Sequence, residues 1–176
     1  MEHIERVQRE LKYKGAILSM YADTIKVPNG NTAVWDFIGH QGAAAVVPVT
    51  DDGKILMVRQ YRNSVDRYTL EIPAGGLNSK DEPTIEAAAR ELEEETGYAS
   101  EHLEPLISIV TAIAFCDEVI DIYLATGLKK TQQHLDEDEY IDVYPYTPQE
   151  LADMIYSGKI QDSKTVAAIM AYINRK

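Results

Sequence analysis

Residues 83–97 read Pro-Thr-Ile-Glu-Ala-Ala-Ala-Arg-Glu-Leu-Glu-Glu-Glu-Thr-Gly. Pro83 suits a first helical turn, and Gly97 suits the left-handed position beyond a helix end. With Glu91 at zero on a wheel of about 100° per residue, Glu95 lies at about +40° and Glu94 at about −60°. Ala87 and Ala88 fall in the same arc one turn earlier, leaving space above the carboxylates. Ile85, Ala89 and Leu92 form the adjoining apolar stripe, and Glu93 points to the far side. The stretch predicts a helix with a core face, a carboxylate face and a solvated face.

Such a carboxylate face is either simply solvated or a cation site. Like charges at i,i+3 and i,i+4 cost roughly 0.2–0.5 kcal/mol per pair. Carboxylates in the last turns also oppose the helix dipole, at about 0.3–1 kcal/mol each when exposed. A divalent cation reverses the sign of both effects, and oxygen-only ligands suit Mg²⁺ or Mn²⁺.

Charge along the whole chain points the same way. The 29 Asp and Glu against 17 Lys and Arg leave a formal net of −12, which repels a nucleic-acid backbone. Residues 82–95 carry six Glu against Arg90, a local −5, and residues 134–142 carry Asp136, Glu137, Asp138, Glu139 and Asp142 with no Lys or Arg, another −5. The second window reads either as an ordinary acidic loop or as a segment close to a bound cation.

Around the helix the chain alternates strands and turns, predicting an α/β or α+β fold in layers. Ile17–Lys26 and Thr32–Ile38 flank the hairpin signal Pro28-Asn29-Gly30. Ala43–Val49 is an almost continuous apolar run, and Lys54–Gln60 follows it across Asp51-Asp52-Gly53. Tyr68–Ile72 stops at Pro73, where Ala74-Gly75-Gly76 frees the backbone for unusual conformations. Leu106–Ala112 and Val119–Ala125 read as later strands. A capping box at Thr147-Pro148-Gln149-Glu150 opens one helix, and Asp162 caps another over Ser163–Ile173. The N-terminal hairpins form a possible separate sheet.

Gly76, five residues, Glu82, seven residues, then Arg90-Glu91-Leu92-Glu93-Glu94-Glu95-Thr96-Gly97-Tyr98 resembles the Nudix box. All seven fixed positions are met, a match expected by chance on the order of 1 in 10⁸ per starting point. Around the box, Gln60-Tyr61-Arg62, Glu71-Ile72-Pro73-Ala74-Gly75, Phe115-Cys116-Asp117-Glu118, Leu135-Asp136-Glu137-Asp138-Glu139 and Ile160-Gln161-Asp162-Ser163-Lys164-Thr165 resemble the ADP-ribose pyrophosphatase subfamily, so that the likeness spans roughly residues 15–175. One departure is Ala112-Ile113-Ala114, which stands where the subfamily usually has Ser-Pro-Gly before the Phe.

The resemblance implies a Nudix α/β/α sandwich with a mixed sheet over residues 43–176, and a small N-terminal antiparallel β-region over 1–42 that forms a homodimer. It implies Mg²⁺-dependent hydrolysis of ADP-ribose to AMP and ribose 5-phosphate, with Mn²⁺ as an alternative ion. Glu91 and Glu95 would be the principal metal ligands, with Glu94 nearby and the Ala74 carbonyl completing the shell. Arg90 and Glu82 would hold the box together. Glu137 would be the general base, with Glu139 as its substitute. Arg59, Arg62 and Glu71 are candidate substrate contacts. Trp35 and Phe37 offer either a stacking surface for adenine or ordinary core. Other readings are hydrolysis of another nucleotide sugar or a dinucleotide such as FAD, and a non-catalytic ADP-ribose sensor, against which the intact Glu91, Glu94 and Glu95 speak.

His3, His40, His102 and His134 show no ligand spacing. The single cysteine, Cys116, excludes an intrachain disulfide framework. The charged start and the absence of a long apolar run predict no leader and no membrane segment. The expectation is a soluble cytoplasmic enzyme acting on a small nucleoside diphosphate.

Overall fold

The computed structural model describes residues 4–137 and 139–175, so His3 and Asp138 lie outside the described residues. The chain divides into two compact units. The first comprises the residues up to Gly42 together with Val110–Val119. In it β1 (Glu5–Lys14), β2 (Ser19–Lys26) and β3 (Thr32–Gly39) form an antiparallel sheet in that order. Gly30, at φ +88°, supplies the left-handed residue that turns β2 into β3. The Val110–Val119 segment attaches to β3, where the Ile38 N–H donates to Phe115 O at 2.7 Å. Asp23 is buried on β2, and its carboxylate accepts Arg9 Nε and Nη2 at 2.7 and 2.6 Å. Every residue of β1 is exposed.

The second unit spans Ala43–Ile109 and Ile120–Lys176. Its elements in chain order are β4 (Ala43–Pro48), β5 (Ile55–Arg62), β6 (Arg67–Glu71), β7 (Ala74–Gly76), α1 (Thr84–Thr96), β8 (Tyr98–Ala99), β9 (His102–Val110), β10 (Val119–Thr126), β11 (Lys129–Lys130), β12 (Asp142–Tyr146), α2 (Pro148–Tyr156) and α3 (Ser163–Ile173). One sheet has the order β7-β4-β10-β9 and is mixed, because β4 runs parallel to β10 and antiparallel to β7. A second has the order β12-β5-β6.

β4 explains the layering. Its residues are buried throughout, as a strand covered on both faces requires. Ala44 packs with Ala87 and Ala88 of α1, and Val46 packs with Leu92. Ala43, Ala45 and Val47 point the other way, into a core shared with Leu151 of α2 and with Ala168 and Ile169 of α3. Helices thus cover both faces of a mixed sheet, as expected.

The helix ends follow local chemistry. Thr147 and Glu150 form the reciprocal capping box of α2, and Asp162 accepts the Thr165 N–H to cap α3. Gly97 closes α1 at φ +69°.

Two expectations are corrected. The buried face of α1 keeps only Leu92 of the Ile85–Ala89–Leu92 stripe: Ile85 is 41% exposed and Ala89 only half-buried, whereas Ala87, Ala88, Glu91 and Glu95 are buried beside Leu92. Ala87 and Ala88 pack against Ala44, and their small size lets the helix approach β4. Ala74–Gly76 is a short strand in which neither glycine has a positive φ, so conformational freedom is not what these glycines supply.

Candidate active site

Two elements build the site: the last two turns of α1 and the short strand β7, which pairs with β4. An ideal Cβ on Gly75 would lie 2.1 Å from Glu91 Oε1. Only glycine there leaves room for the carboxylate. One residue earlier, the Ala74 N–H donates to Glu95 Oε2 at 3.0 Å. Both buried carboxylates of the helix therefore seat against the β7 backbone.

Arg90 bridges the cluster. Its Nη1 donates to Glu91 Oε1 at 2.6 Å and to Glu94 Oε2 at 3.0 Å, and its Nη2 to Gly76 O at 3.3 Å. Glu82 Oε1 stands 3.5 Å from Nη2, while Arg90 Nε is buried without a partner. Arg90 thus ties three carboxylates together instead of gripping one in parallel.

A polar cavity of about 250 Å³ opens here, walled by Ala74, Gly75 and Gly76 of β7, by Arg90, Glu91 and Glu94 of α1, and by Asn78, His134, Asp136 and Glu139. Both acidic windows of the sequence meet at this cavity. The loop is tied to the helix, since the His134 N–H donates to Glu94 O at 3.0 Å and Gln133 Nε2 to Glu95 O at 2.7 Å.

Electrostatics in the site disfavour unaccompanied negative charge. Burial pushes the Glu91 carboxyl up, and the charges of Glu94 and Glu139 add to that, against the opposing pull of Arg90. Burial, then the charge of Glu91, raises Glu95 to about 8 despite the Ala74 N–H. Among the described residues no three Asp, Glu, His or Cys side chains are already gathered at metal-ligand spacing. Arg90 and Ala74 take one oxygen of each carboxylate, leaving Glu91 Oε2, Glu94 Oε1 and Glu95 Oε1 without a protein hydrogen bond among the described residues. Two buried carboxylates, Glu91 and Glu95, and the partly exposed Glu94, with one unengaged oxygen apiece, fit a hard divalent cation, which would compensate their mutual repulsion.

The other sequence candidates fall in different places. Glu139 lines the cavity, whereas Glu137 sits in an exposed turn outside its wall. Arg62 donates Nε and Nη2 to Glu71 at 2.8 Å each, and Glu71, 2% exposed, also accepts Thr69 Oγ1 and Lys164 Nζ. Burial works against the Glu71 anion, yet Arg62, Lys164 and Thr69 hold its carboxyl down at about 2. Arg59 lies over the Tyr68 ring at 4.0 Å and reaches Asp142 at 3.4 Å. Trp35, on β3, is 48% exposed and hence not core. His134 and Asn78 are cavity residues that sequence spacing did not single out; for His134, its place at the head of the acidic window was the available signal.

The fold is α+β, and at its cavity a helix presents carboxylates whose free oxygens fit a divalent cation. The family profile described as NUDIX domain matches residues 39–169. The chain is 41% identical over 165 residues to "Methanol dehydrogenase activator" of Bacillus methanolicus, covering 93% of this chain and 89% of the relative. It is 37% identical to "ADP-ribose pyrophosphatase" of Bacillus subtilis (strain 168) with the same coverages, and 35% identical to the protein of that name from Mycobacterium tuberculosis, covering 97% and 84%. A solved structure titled "Crystal structure of ADP compounds hydrolase" superposes with a TM-score of 0.85 at 20% identity, over 97% of this chain and 92% of that one. The chain belongs to the NUDIX family.

Proposed function

We propose that the chain hydrolyses the pyrophosphate bond of ADP-ribose to AMP and ribose 5-phosphate. The observation that carries this is the meeting of Glu91, Glu94 and Glu139 around one cavity against a glycine-backed strand. Two relatives named ADP-ribose pyrophosphatase, alike over most of both chains, support the substrate.

Glu91 and Glu95 would hold Mg²⁺ or Mn²⁺, with Glu94 and the Ala74 carbonyl completing the shell. When bound, the ion supplies neutralisation and polarisation of phosphoryl oxygens. Arg90 keeps Glu91 and Glu94 facing the cavity through its Nη1 bridge. Glu139 takes a proton from the attacking water on its carboxylate; its place in the cavity wall favours it over Glu137. The water oxygen adds to one phosphorus as the bridging P–O bond breaks, so each product leaves with a terminal phosphate. Arg62, which keeps Nη1 without a protein partner among the described residues, donates to a substrate oxygen. Glu71 acts through Arg62, and Arg59 serves the distal sugar or phosphate. We place the enzyme in the cytoplasm, where a lone cysteine, Cys116, stays reduced. No helix among the described residues is long and apolar enough to cross a membrane.

A second reading rests on the Bacillus methanolicus relative: the chain activates a methanol dehydrogenase. The discriminating experiment is a panel of ADP-ribose, ADP-glucose, GDP-mannose, FAD and NADH with Mg²⁺, with nucleotide products resolved by chromatography, beside a methanol dehydrogenase assay with and without the chain. AMP from ADP-ribose supports the first reading. No turnover of any compound overturns it.

A further inference from the structure

The segment Asp162-Ser163-Lys164-Thr165 lies far in sequence from the carboxylate helix, yet two of its side chains, Lys164 and Thr165, are tied to the Glu71–Ile72 run that leads to the cavity, and Asp162 holds both. Asp162 Oδ2 accepts the Thr165 N–H at 3.0 Å, Thr165 Oγ1 at 2.5 Å and Lys164 Nζ at 3.0 Å. Lys164 Nζ also donates to Glu71 Oε2 at 2.5 Å, and Thr165 Oγ1 accepts the Ile72 N–H at 3.0 Å. Lys164 is 8% exposed, Thr165 0% and Glu71 2%.

We propose that Lys164 and Thr165, held by Asp162, are positioning residues: they clamp Glu71 and Ile72, and through that run they set Arg62 for substrate and the Ala74 N–H for Glu95.

The physical case begins with cost. A buried ammonium is expensive, and an apolar side chain of similar length would fill the same volume without desolvation. Glu71 does not need Lys164 for neutralisation, since Arg62 already meets both of its oxygens. What Lys164 adds is a second donor on Oε2, so that the carboxylate cannot rotate and Arg62 cannot swing with it. The Arg62 guanidinium, fixed through Nε and Nη2, then keeps a constant direction for its remaining Nη1.

Thr165 acts one residue further along. By accepting the Ile72 N–H it sets the start of the short link Ile72-Pro73, while the Pro73 carbonyl accepts the Val46 N–H at 3.0 Å. Between those two anchors the chain has little freedom, and the next residue, Ala74, delivers its N–H to Glu95 Oε2 at 3.0 Å. Asp162 does two jobs with one carboxylate, capping α3 and orienting both clamp residues, so the last helix of the chain is coupled to the wall of the cavity.

The proposal rests on the ADP-ribose reading for its kinetic consequence but not for its structural one. The test combines steady-state kinetics with amide hydrogen exchange on Lys164→Met, Lys164→Arg, Arg62→Ala and the Lys164→Met/Arg62→Ala pair. In Lys164→Met the amides of Ile72 and Ala74 should exchange at least about tenfold faster relative to that of Val47, a buried β4 reference. Its KM for ADP-ribose should rise about tenfold or more with kcat within about threefold, and Lys164→Arg should bring KM back to within about threefold. In the Arg62→Ala background Lys164→Met should raise KM by less than about twofold, because its effect passes through Arg62. Unchanged exchange at Ile72 and Ala74, or KM effects of the two substitutions that multiply, would overturn the clamp. A wild-type chain that does not turn over ADP-ribose would sink the substrate reading, and the exchange rates would still decide whether the clamp exists.

Discussion

The Glu91 carboxylate occupies the space in which a side chain at Gly75 would begin, with Oε1 2.1 Å and Oε2 2.4 Å from an ideal Cβ there. Gly75 is therefore required by close approach, since its φ is not in the left-handed region. Gly75→Ala should displace Glu91, cost about 1–3 kcal/mol in stability and weaken cation binding. Calorimetric titration with Mn²⁺ would check this. Wild-type affinity in Gly75→Ala would show that Glu91 does not bind the ion from this position.

Burial and the charge of Glu91 carry the Glu95 carboxyl from 4.5 to about 8. Between those values the cation-free folded chain keeps a proton that the unfolded chain has released, so stability falls as pH rises through that window and levels off above it. Glu71 runs the opposite way. Burial alone would raise it, but Arg62 and Lys164 hold it at about 2, so its contribution is present above 4.5 and lost as pH falls toward 2. Urea midpoints of the cation-free protein should peak near about pH 5 and decline toward about pH 8, with Mg²⁺ restoring more stability at the alkaline end. A midpoint climbing steadily from pH 5 to 8 without cation would contradict the Glu95 environment.

Glu139 faces the cavity and Glu137 does not. Glu139→Gln should lower kcat by at least about 10²-fold, the usual range for a lost general base, while Glu137→Gln stays near wild type. The reverse pattern in a steady-state comparison would return the role to Glu137.

Much of the molecule was legible wherever the cause is local. The Thr147–Glu150 box, the Asp162 cap and the Gly97 terminus each act within a few residues, and each sits where the sequence placed it. The almost continuous apolar run from Ala43 announced a buried strand, which the structure covers on both faces. β1 was not legible, because its residues are exposed on both faces and carry no periodic burial signal. β12 was hidden behind the acidic window and contains Pro145. Ile85 is exposed because the helix meets β4 through the small Ala87 and Ala88, a choice of face that hydrophobicity alone does not reveal. The Glu71–Lys164 pair, 93 residues apart, left no local trace.

The exposed β1 also carries Val7, Leu11 and Tyr13, each at least half exposed. An edge strand that exposes apolar side chains favours pairing with another chain, and we propose that these N-terminal strands form a homodimer. Light scattering should report twice the 19.7 kDa chain mass, and Val7→Asp/Leu11→Asp should halve it. A monomeric wild type at micromolar concentration would exclude this assembly.

The central claim is that Glu91 and Glu95 bind a divalent cation for pyrophosphate hydrolysis. It is tested most directly by following AMP release from ADP-ribose against Mg²⁺ concentration for wild type, Glu91→Gln and Glu95→Gln, with folding checked by circular dichroism. The account predicts saturable Mg²⁺ dependence in the wild type and a loss of at least about 10²-fold in each folded variant. Wild-type rates in either variant, or AMP release that ignores Mg²⁺, would contradict it.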